Sequence, residues 1–318
     1  MPPAATNPFL APKARPLIVG HRGVPTLHQE NTLAGFRRAV ELGIPAIELD
    51  VLMTKDHRAV VLHDANLHRL TGVHREISSM TWDEVSKLRV RRELPMGVDP
   101  EGHPIVIEYP REERIPLFAE VLSEVADKLV INVELKLDMV HWWRTVISAI
   151  VAEEIADARA LDRVIVTSFD PRKLLAAKRV REVLAIGFCF DDTMLDFAAP
   201  LLERVPRLRA SLGIPADRHI RGASRRVLHQ VLDSNLVGRL LGTQVVGAEH
   251  TIVGSETVRQ MHARGVAVGT HTLFPLGSTT GKPIAESAHS AAEVRRLVDL
   301  GVDWIETDDP ERLQRLIG

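Results

Sequence analysis

The chain has 318 residues, which suits one large α/β barrel or two ordinary domains, and its 45% apolar content is enough to bury a sizeable core. A net charge of −2, from 40 basic and 42 acidic residues, argues against nucleic acid or an anionic membrane as partner, and the single cysteine, Cys189, excludes an internal disulfide and a cysteine-based metal cluster. Because no apolar run approaches the roughly 18 residues of a membrane span or resembles a signal peptide, we expect a cytoplasmic protein without stable membrane insertion.

The first elements follow from apolar runs and helix-capping residues. The proline- and alanine-rich residues 1–16 predict a flexible N-terminal arm. Residues 17–20 predict a first strand that ends at His21, and the pair Asn31-Thr32 predicts the cap of a first helix. Residues 46–51 predict a second strand.

The segment after the second strand must turn back on itself. Residues 49–54 and 58–63 are joined by only Lys55, Asp56 and His57. A parallel crossover needs about a dozen residues, so these two runs are predicted to form an antiparallel hairpin. The hairpin returns His63 to the side of Glu48 and Asp50.

The rest of the chain alternates between strands and helices. Residues 64–115 are expected to form an irregular insertion, with a short helix from Thr81 to about Leu88 and a Pro/Gly-rich loop over 94–104. A helix over 116–128 then precedes the third main strand. The remaining main strands are predicted near 129–135, 163–168, 184–188, 243–248, 266–272 and 303–306.

Without the returning arm of the hairpin, the pattern has eight parallel strands with helical crossovers. Eight is the number that closes a (β/α)8 TIM barrel. We therefore predict an α/β fold, a TIM barrel with a β-hairpin excursion and a small insertion after strand two, as a single domain over 17–318.

Polar residues at the carboxyl ends of the strands are the candidate site, because the active site of such a barrel lies there. In chain order these residues are His21, Arg22, Glu48, Asp50, Glu134, Lys136, Ser168, His271, Thr307 and Asp308. The i, i+2 spacing of Glu48 and Asp50 places both carboxylates on one side of their strand.

Three carboxylates at one mouth, Glu48, Asp50 and Glu134, would repel each other without a cation between them. Hard oxygen ligands favour Mg²⁺ or Ca²⁺. Arg22 and Lys136 can bind a phosphate, and two histidines can move protons. Together these groups suit cleavage of a phosphodiester.

Several short motifs occur in one order from strand one to the C-terminus. They are His21-Arg22-Gly23, Glu30-Asn31-Thr32, Glu48-Leu49-Asp50, His63-Asp64, Glu134-Leu135-Lys136, Ser168-Phe169 and Thr307-Asp308-Asp309-Pro310. Each motif is weak alone, but this ordered set resembles the glycerophosphodiester phosphodiesterase family over nearly the whole chain.

The resemblance implies one divalent cation, Mg²⁺ or Ca²⁺, held by Glu48, Asp50 and Glu134. It implies His21 and His63 as the acid/base pair, with Arg22 and Lys136 on the phosphate. The implied reaction is hydrolysis of a small-molecule glycerophosphodiester to sn-glycerol 3-phosphate and an alcohol. Water or a neighbouring glycerol hydroxyl is the nucleophile, and either histidine can be the base.

The chain departs from the family pattern at two places. Gln29 stands where the family usually has proline, and His271-Thr272-Leu273-Phe274 stands where it typically reads Trp-Thr-Val-Asn. The family tryptophan would help to form the substrate pocket. We therefore assign His271 and Phe274 to the pocket and expect an altered substrate.

Other interpretations of the same residues stay open. Lys136 can pair with Glu134 or Glu48, and Asp308 can orient His21 or Arg22 or only pack. Glu30 and Asn31 are expected to cap the first helix.

Two other functions also stay open. One is a lysophospholipase D- or phospholipase C-like lipid phosphodiesterase, for which residues 273–276 offer a modest apolar rim. The other is a non-catalytic phosphate-binding barrel, which would not need two acid/base histidines.

Overall fold

The computed structural model describes residues 7–99, 101–136, 145–192, 194, 228–278 and 284–318. The strands are β1 (Leu17–Gly20), β2 (Ala46–Met53), β3 (Ala59–Val61), β4 (Glu93–Val98), β5 (Pro104–Glu108), β6 (Val130–Leu135), β7 (Val164–Ser168), β8 (Ala185–Phe190), β9 (Val245–Glu249), β10 (Ala267–Leu273) and β11 (Trp304–Thr307). The α-helices are α1 (Leu33–Glu41), α2 (His68–Thr71), α3 (Trp82–Val85), α4 (Phe118–Val125), α5 (Val146–Asp157), α6 (Pro171–Val180), α7 (Leu236–Leu241), α8 (Ser255–His262), α9 (Ala291–Leu300) and α10 (Pro310–Ile317).

Eight parallel strands close into a barrel in the order β1-β2-β6-β7-β8-β9-β10-β11, because β1 pairs with both β2 and β11. The predicted TIM barrel is confirmed. The layer between strands and helices holds one large apolar core, and a separate apolar cluster around Trp304 fills the interior of the barrel. Across the described ranges, the helices are all too short or too polar to cross a membrane.

The predicted hairpin after the second strand is also confirmed. Strands β2 and β3 pair antiparallel with Val51 opposite Val61, and the Leu62 amide donates to the Asp50 carbonyl at 2.9 Å. The hairpin therefore carries His63 back over the mouth of the barrel.

The loop prediction for residues 94–104 is wrong over 94–98 and at Pro104, which lie in strands, whereas the turn between Asp99 and His103 agrees with it. Strands β4 and β5 form a separate antiparallel pair there, with Leu94 opposite Ile107. Leu94 and Met96 are buried while Glu93 and Pro95 are exposed, so the segment has the period of two that a half-buried strand requires. The proline and glycine content hid this alternation. The insertion also contains α2 and α3, and it has its own small apolar cluster.

Residues 7–16 are not a flexible arm, while residues 1–6 of the predicted arm lie outside the described residues. Phe9 is fully buried, and its ring packs edge-on against Trp304 with centroids 5.3 Å apart. The Asn7 side chain donates to the Val164 carbonyl at 3.0 Å. These contacts close the amino-terminal end of the barrel, opposite the mouth. An isolated aromatic residue among prolines carries no periodic signal, so the sequence did not reveal this anchor.

Candidate active site

A cavity of about 280 Å³ opens at the carboxyl ends of the barrel strands. Seven of the predicted site residues line it, namely His21, Arg22, His63, Glu134, Lys136, His271 and Asp308. Glu48 and Asp50 are only 2% and 1% exposed. The barrel thus brings together residues that are spread over more than 250 positions of the sequence.

A tight turn after β1 positions the first histidine and arginine. The Gly23 amide donates to the Gly20 carbonyl at 3.1 Å, and a Cβ on Gly20 would lie 2.2 Å from the Gly23 oxygen. Only glycine fits at that position. Within the turn, the Arg22 amide donates to Glu48 Oε2 at 3.0 Å, which ties the turn to the carboxylates of β2.

Glu48, Asp50 and Glu134 form one carboxylate cluster. Each residue offers one oxygen, and the three oxygens lie within 4.8 Å of one another. Oε1 of Glu48 is buried and has no hydrogen-bond partner among the described residues. Burial, and then the nearby Asp50, raise the pKa of Glu48 well above its ordinary value. A buried, repelling set of hard oxygen donors fits a divalent cation such as Mg²⁺ or Ca²⁺.

The basic residues of the site contact the same carboxylates. Lys136 Nζ lies 2.8 Å from Glu134 Oε1 and 3.4 Å from Asp50 Oδ1, while Arg22 Nε lies 3.3 Å from Asp50 Oδ2. Burial alone would raise the pKa of Asp50, but Lys136, His63 and Arg22 hold it well below its usual range. Asp50 is therefore an anion that these cations stabilise.

The two histidines that face the cavity are each held by a carboxylate. His21 Nδ1 lies 2.6 Å from Asp308 Oδ1, and His63 Nδ1 lies 2.6 Å from Asp64 Oδ1. A carboxylate on Nδ1 fixes the ring orientation and leaves Nε2 for proton transfer. Burial, and then the positive charges of Arg22 and Lys136, lower the pKa of His63.

A chain of ion pairs supports the site from the side of α1, and it joins residues too far apart in the sequence to be predicted from it. Glu30 accepts from Arg22 at 3.0 Å and from Arg69 at 2.8 Å, and Arg69 also contacts Asp64. Burial opposes ionisation, but Arg22 and Arg69 lower the pKa of Glu30 to about 2. The expectation that Glu30 caps α1 is therefore wrong.

The cap of α1 is Thr32, whose hydroxyl accepts from the Gly35 amide at 3.3 Å. Asn31 instead binds Asp50, so its assignment as a cap is also wrong. A capping interpretation was natural because Asn and Thr both favour that position. The signal that Glu30 and Asn31 lie below the mouth is tertiary, since their partners are on β1, β2 and α2.

The pocket assignment on β10 needs a correction. His271 lines the cavity, and its ring lies 6.3 Å from that of Phe169. Phe274 does not line the cavity; it is 3% exposed and lies 4.0 Å beneath the Arg312 guanidinium on α10. Its backbone φ is 52°, in the left-handed region, and Pro275 and Gly277 after it line the cavity.

Residues at the ends of other strands also line the cavity. Asp308 holds His21, as described above. His250, directly after β9, lines the cavity and contacts Glu293 at 2.8 Å. Glu306 also lines the cavity and accepts from Asn132 Nδ2 at 2.8 Å. Histidines at the start of loops are common on protein surfaces. Only the closed barrel therefore shows that His250 lines the cavity.

A TIM barrel whose mouth combines carboxylates, two basic residues and two carboxylate-bound histidines belongs to the class of phosphoric diester hydrolases. The model of the Glycerophosphoryl diester phosphodiesterase family matches residues 21–312. The chain belongs to this family, and it is an enzyme of the phosphoric diester hydrolase class.

Individual relatives agree with this assignment. A glycerophosphodiester phosphodiesterase of Caldanaerobacter subterraneus is 33% identical over 181 residues, which cover 57% of this chain and 69% of that protein. A crystal structure from Silicibacter pomeroyi superposes with a TM-score of 0.67 at 24% identity, covering 97% of this chain and 95% of the other.

An Oleispira antarctica phosphodiesterase was solved in complex with the product sn-glycerol-3-phosphate. It superposes with a TM-score of 0.64 at 20% identity, covering 95% of this chain and 97% of that one. At these identities the two structural matches show that the fold is shared.

Proposed function

We propose that this protein hydrolyses a small-molecule glycerophosphodiester to sn-glycerol 3-phosphate and an alcohol, with a divalent cation and two histidines. The observation that carries the proposal is that His21 and His63, each bound by a carboxylate, share one cavity with Glu134 of the carboxylate cluster. A binding protein for phosphate would not need two such imidazoles. The complex of the Oleispira protein with sn-glycerol-3-phosphate supports the proposal that this group is the phosphate-containing half of the substrate.

Glu48, Asp50 and Glu134 are the residues that would hold the cation. When bound, Mg²⁺ or Ca²⁺ would polarise the phosphoryl oxygens of the diester and neutralise the charge that develops on them. The feature that favours this occupancy is the buried Glu48 Oε1, which has no partner among the described residues, since burial of a carboxylate oxygen without a partner is costly.

Arg22 and Lys136 are proposed to bind the non-bridging oxygens of the diester. Both lie at the cavity and both are already oriented by Asp50. A cation bound by the carboxylates would weaken their attraction to Lys136 and leave its ammonium available to the substrate. Arg22 stays anchored through Glu30, so its guanidinium offers a fixed geometry.

The two imidazoles divide the proton transfers between them. One Nε2 removes a proton from the attacking water as a new P–O bond forms, or from a neighbouring glycerol hydroxyl, in which case water then opens the cyclic phosphate to the monoester. The other Nε2 donates a proton to the oxygen that leaves as the alcohol. Asp308 and Asp64 keep the two rings oriented and stabilise each ring while it carries the additional proton.

The experiment is hydrolysis of a panel by the purified protein, with glycerophosphocholine, glycerophosphoethanolamine, glycerophosphoglycerol and lysophosphatidylcholine. Each substrate is tested with Mg²⁺, with Ca²⁺ and with EDTA, and the products are identified by phosphorus NMR. We expect metal-dependent release of sn-glycerol 3-phosphate. Preference for lysophosphatidylcholine would favour the lipid phosphodiesterase, and binding without turnover would favour the phosphate-binding barrel.

The cytoplasmic location and the single-domain organisation stay predictions.

A further inference from the structure

A third histidine in the cavity repeats the arrangement of the two proposed catalytic ones. His250 Nδ1 lies 2.8 Å from Glu293 Oε1, as His21 Nδ1 lies 2.6 Å from Asp308 and His63 Nδ1 lies 2.6 Å from Asp64. All three imidazoles line the same cavity. The hydrolysis described above uses two of them and gives His250 no task.

His250 is held in place by a partly buried ion pair. Arg296 donates to Glu293 Oε2 at 2.7 Å and to Glu293 Oε1 at 2.5 Å, and it also donates to the His250 carbonyl at 2.8 Å. The His250 side chain is 3% exposed. Both atoms of the Glu293 carboxylate are therefore committed, and the ring of His250 cannot turn without breaking this network.

The ion pair also determines which ring nitrogen carries the proton. Burial opposes ionisation of Glu293, but hydrogen bonds from Arg296 and His250 lower its pKa. An ionised carboxylate only accepts hydrogen bonds, so Nδ1 of His250 is the donor. Burial lowers the pKa of His250, which keeps the ring neutral and makes Nε2 an acceptor.

The position of His250 in the barrel indicates which part of the substrate its Nε2 would contact. In the closed strand order, β9 stands four strands from β2, on the opposite wall. The carboxylate cluster and the phosphate-binding residues lie on β1, β2 and β6 or directly after them. A diester whose phosphorus lies over that side extends one of its two alcohol arms toward β9.

We propose that His250 is a specificity-determining residue that accepts a hydrogen bond from a hydroxyl on an alcohol arm of the diester. The inference rests on the proposed function and adds the substrate class, a hydroxylated alcohol. A quaternary ammonium group would need a cage of aromatic rings, but Phe169 is the sole phenyl or indole ring among the described lining residues. An acyl chain would leave the polar imidazole desolvated and without a partner.

The test uses two isosteric variants. Asn in His250→Asn places its amide where Nδ1 is now and can keep the bond to Glu293, but it leaves the Nε2 position empty. Gln in His250→Gln places its amide near Nε2 and abandons Glu293. Both variants and the wild type are assayed on glycerophosphocholine, on glycerophosphoglycerol and on bis(4-nitrophenyl) phosphate, and their melting temperatures are measured.

The inference predicts that His250→Asn lowers kcat/KM roughly 10- to 100-fold on a hydroxylated diester, with an unchanged melting temperature, while His250→Gln keeps more of that activity. A lower kcat/KM on glycerophosphoglycerol alone would assign the hydroxyl to the leaving alcohol. A lower kcat/KM on both glycerophosphocholine and glycerophosphoglycerol would assign it to the glycerol arm. The chromogenic diester has no hydroxyl, so its turnover should not change in His250→Asn.

Two results would overturn the inference. If His250→Asn has the same kcat/KM as the wild type on every diester, His250 does not bind a hydroxyl of the substrate. If His250→Gln loses stability and all activities while His250→Asn loses none, the histidine is only structural. A wild-type protein that cleaves no diester would overturn the proposed function, and the inference with it, so the two failures are distinguishable.

Discussion

Asn31 and Asp50 exchange two hydrogen bonds across the floor of the active site. Asn31 Nδ2 donates to Asp50 Oδ2 at 2.8 Å, and the Asp50 amide donates to Asn31 Oδ1 at 3.1 Å. The turn before α1 thereby fixes the orientation of a carboxylate on β2. A metal-binding carboxylate whose orientation is fixed by a neighbouring residue binds its cation with a preset geometry.

Replacing Asn31 should therefore weaken the cation site without removing any ligand. We expect Asn31→Ala to lower the affinity for Mg²⁺ or Ca²⁺ about 10- to 100-fold, the range typical of residues that orient metal ligands. Isothermal titration calorimetry measures the affinity. Asn66→Ala removes a surface amide that pairs with Glu76 and serves as the control. Equal affinity in Asn31→Ala and the wild type would contradict the role of Asn31.

Glu48→Gln should separate activity from stability. The variant removes one negative charge from a buried cluster where the pKa of Glu48 is already raised, so repulsion in the metal-free protein decreases. We expect diester hydrolysis to fall more than about 100-fold, while the melting temperature in EDTA stays equal or rises. Differential scanning fluorimetry and a hydrolysis assay on the same sample test both parts. Retained activity would show that Glu48 is no ligand.

Phe9→Ala should destabilise the barrel from the end opposite the active site. Truncation of a fully buried phenylalanine costs about 3–5 kcal/mol, because a cavity remains against Trp304. We expect a lower melting temperature with kcat/KM unchanged at temperatures where the variant is folded. Leu10→Ala, at a partly buried neighbour, should have a smaller effect. An unchanged melting temperature in Phe9→Ala would mean that residues 7–16 do not anchor the barrel.

Glu154 on α5 should make stability depend on pH. Burial, and then the nearby Asp157, raise the pKa of Glu154 from 4.5 to about 7, although Arg58 opposes the shift. Between these two values the folded protein keeps a proton that the unfolded chain releases, so Glu154 reduces stability as pH rises through this window.

Glu154→Gln removes this penalty. We expect the variant to gain about 1 kcal/mol of unfolding free energy over the wild type at pH 8, a value reduced for solvent screening, and to gain nothing at pH 4.5. Urea denaturation at the two pH values measures the difference. The same gain at both pH values would show that the charge of Glu154 is not its cause.

The sequence predicts the features of this fold that depend on short-range constraints. The connection of three residues after Thr54 leaves only a hairpin, and eight apolar strands with helical crossovers leave only a closed barrel. The bond between His21 and Asp308 spans 287 positions and exists only because β1 pairs with β11. Glu30 and Asn31 were wrongly assigned as helix caps for the same reason.

Where local composition and tertiary packing disagree, the prediction fails. Residues 94–104 have the prolines and glycines of a loop, yet the burial of Leu94 and Met96 stabilises a strand. The apolar residue Phe274 follows a strand end, yet its positive φ turns it under Arg312. Neither effect is visible without the neighbouring elements.

The most direct test of the account is to measure glycerophosphocholine hydrolysis and metal binding together in His21→Ala and His63→Ala. If the two histidines transfer the protons while the carboxylates hold the cation, each variant loses at least about 100-fold in kcat, and calorimetry shows that both still bind the cation. Wild-type turnover in either variant would contradict the central claim that His21 and His63 form the catalytic pair.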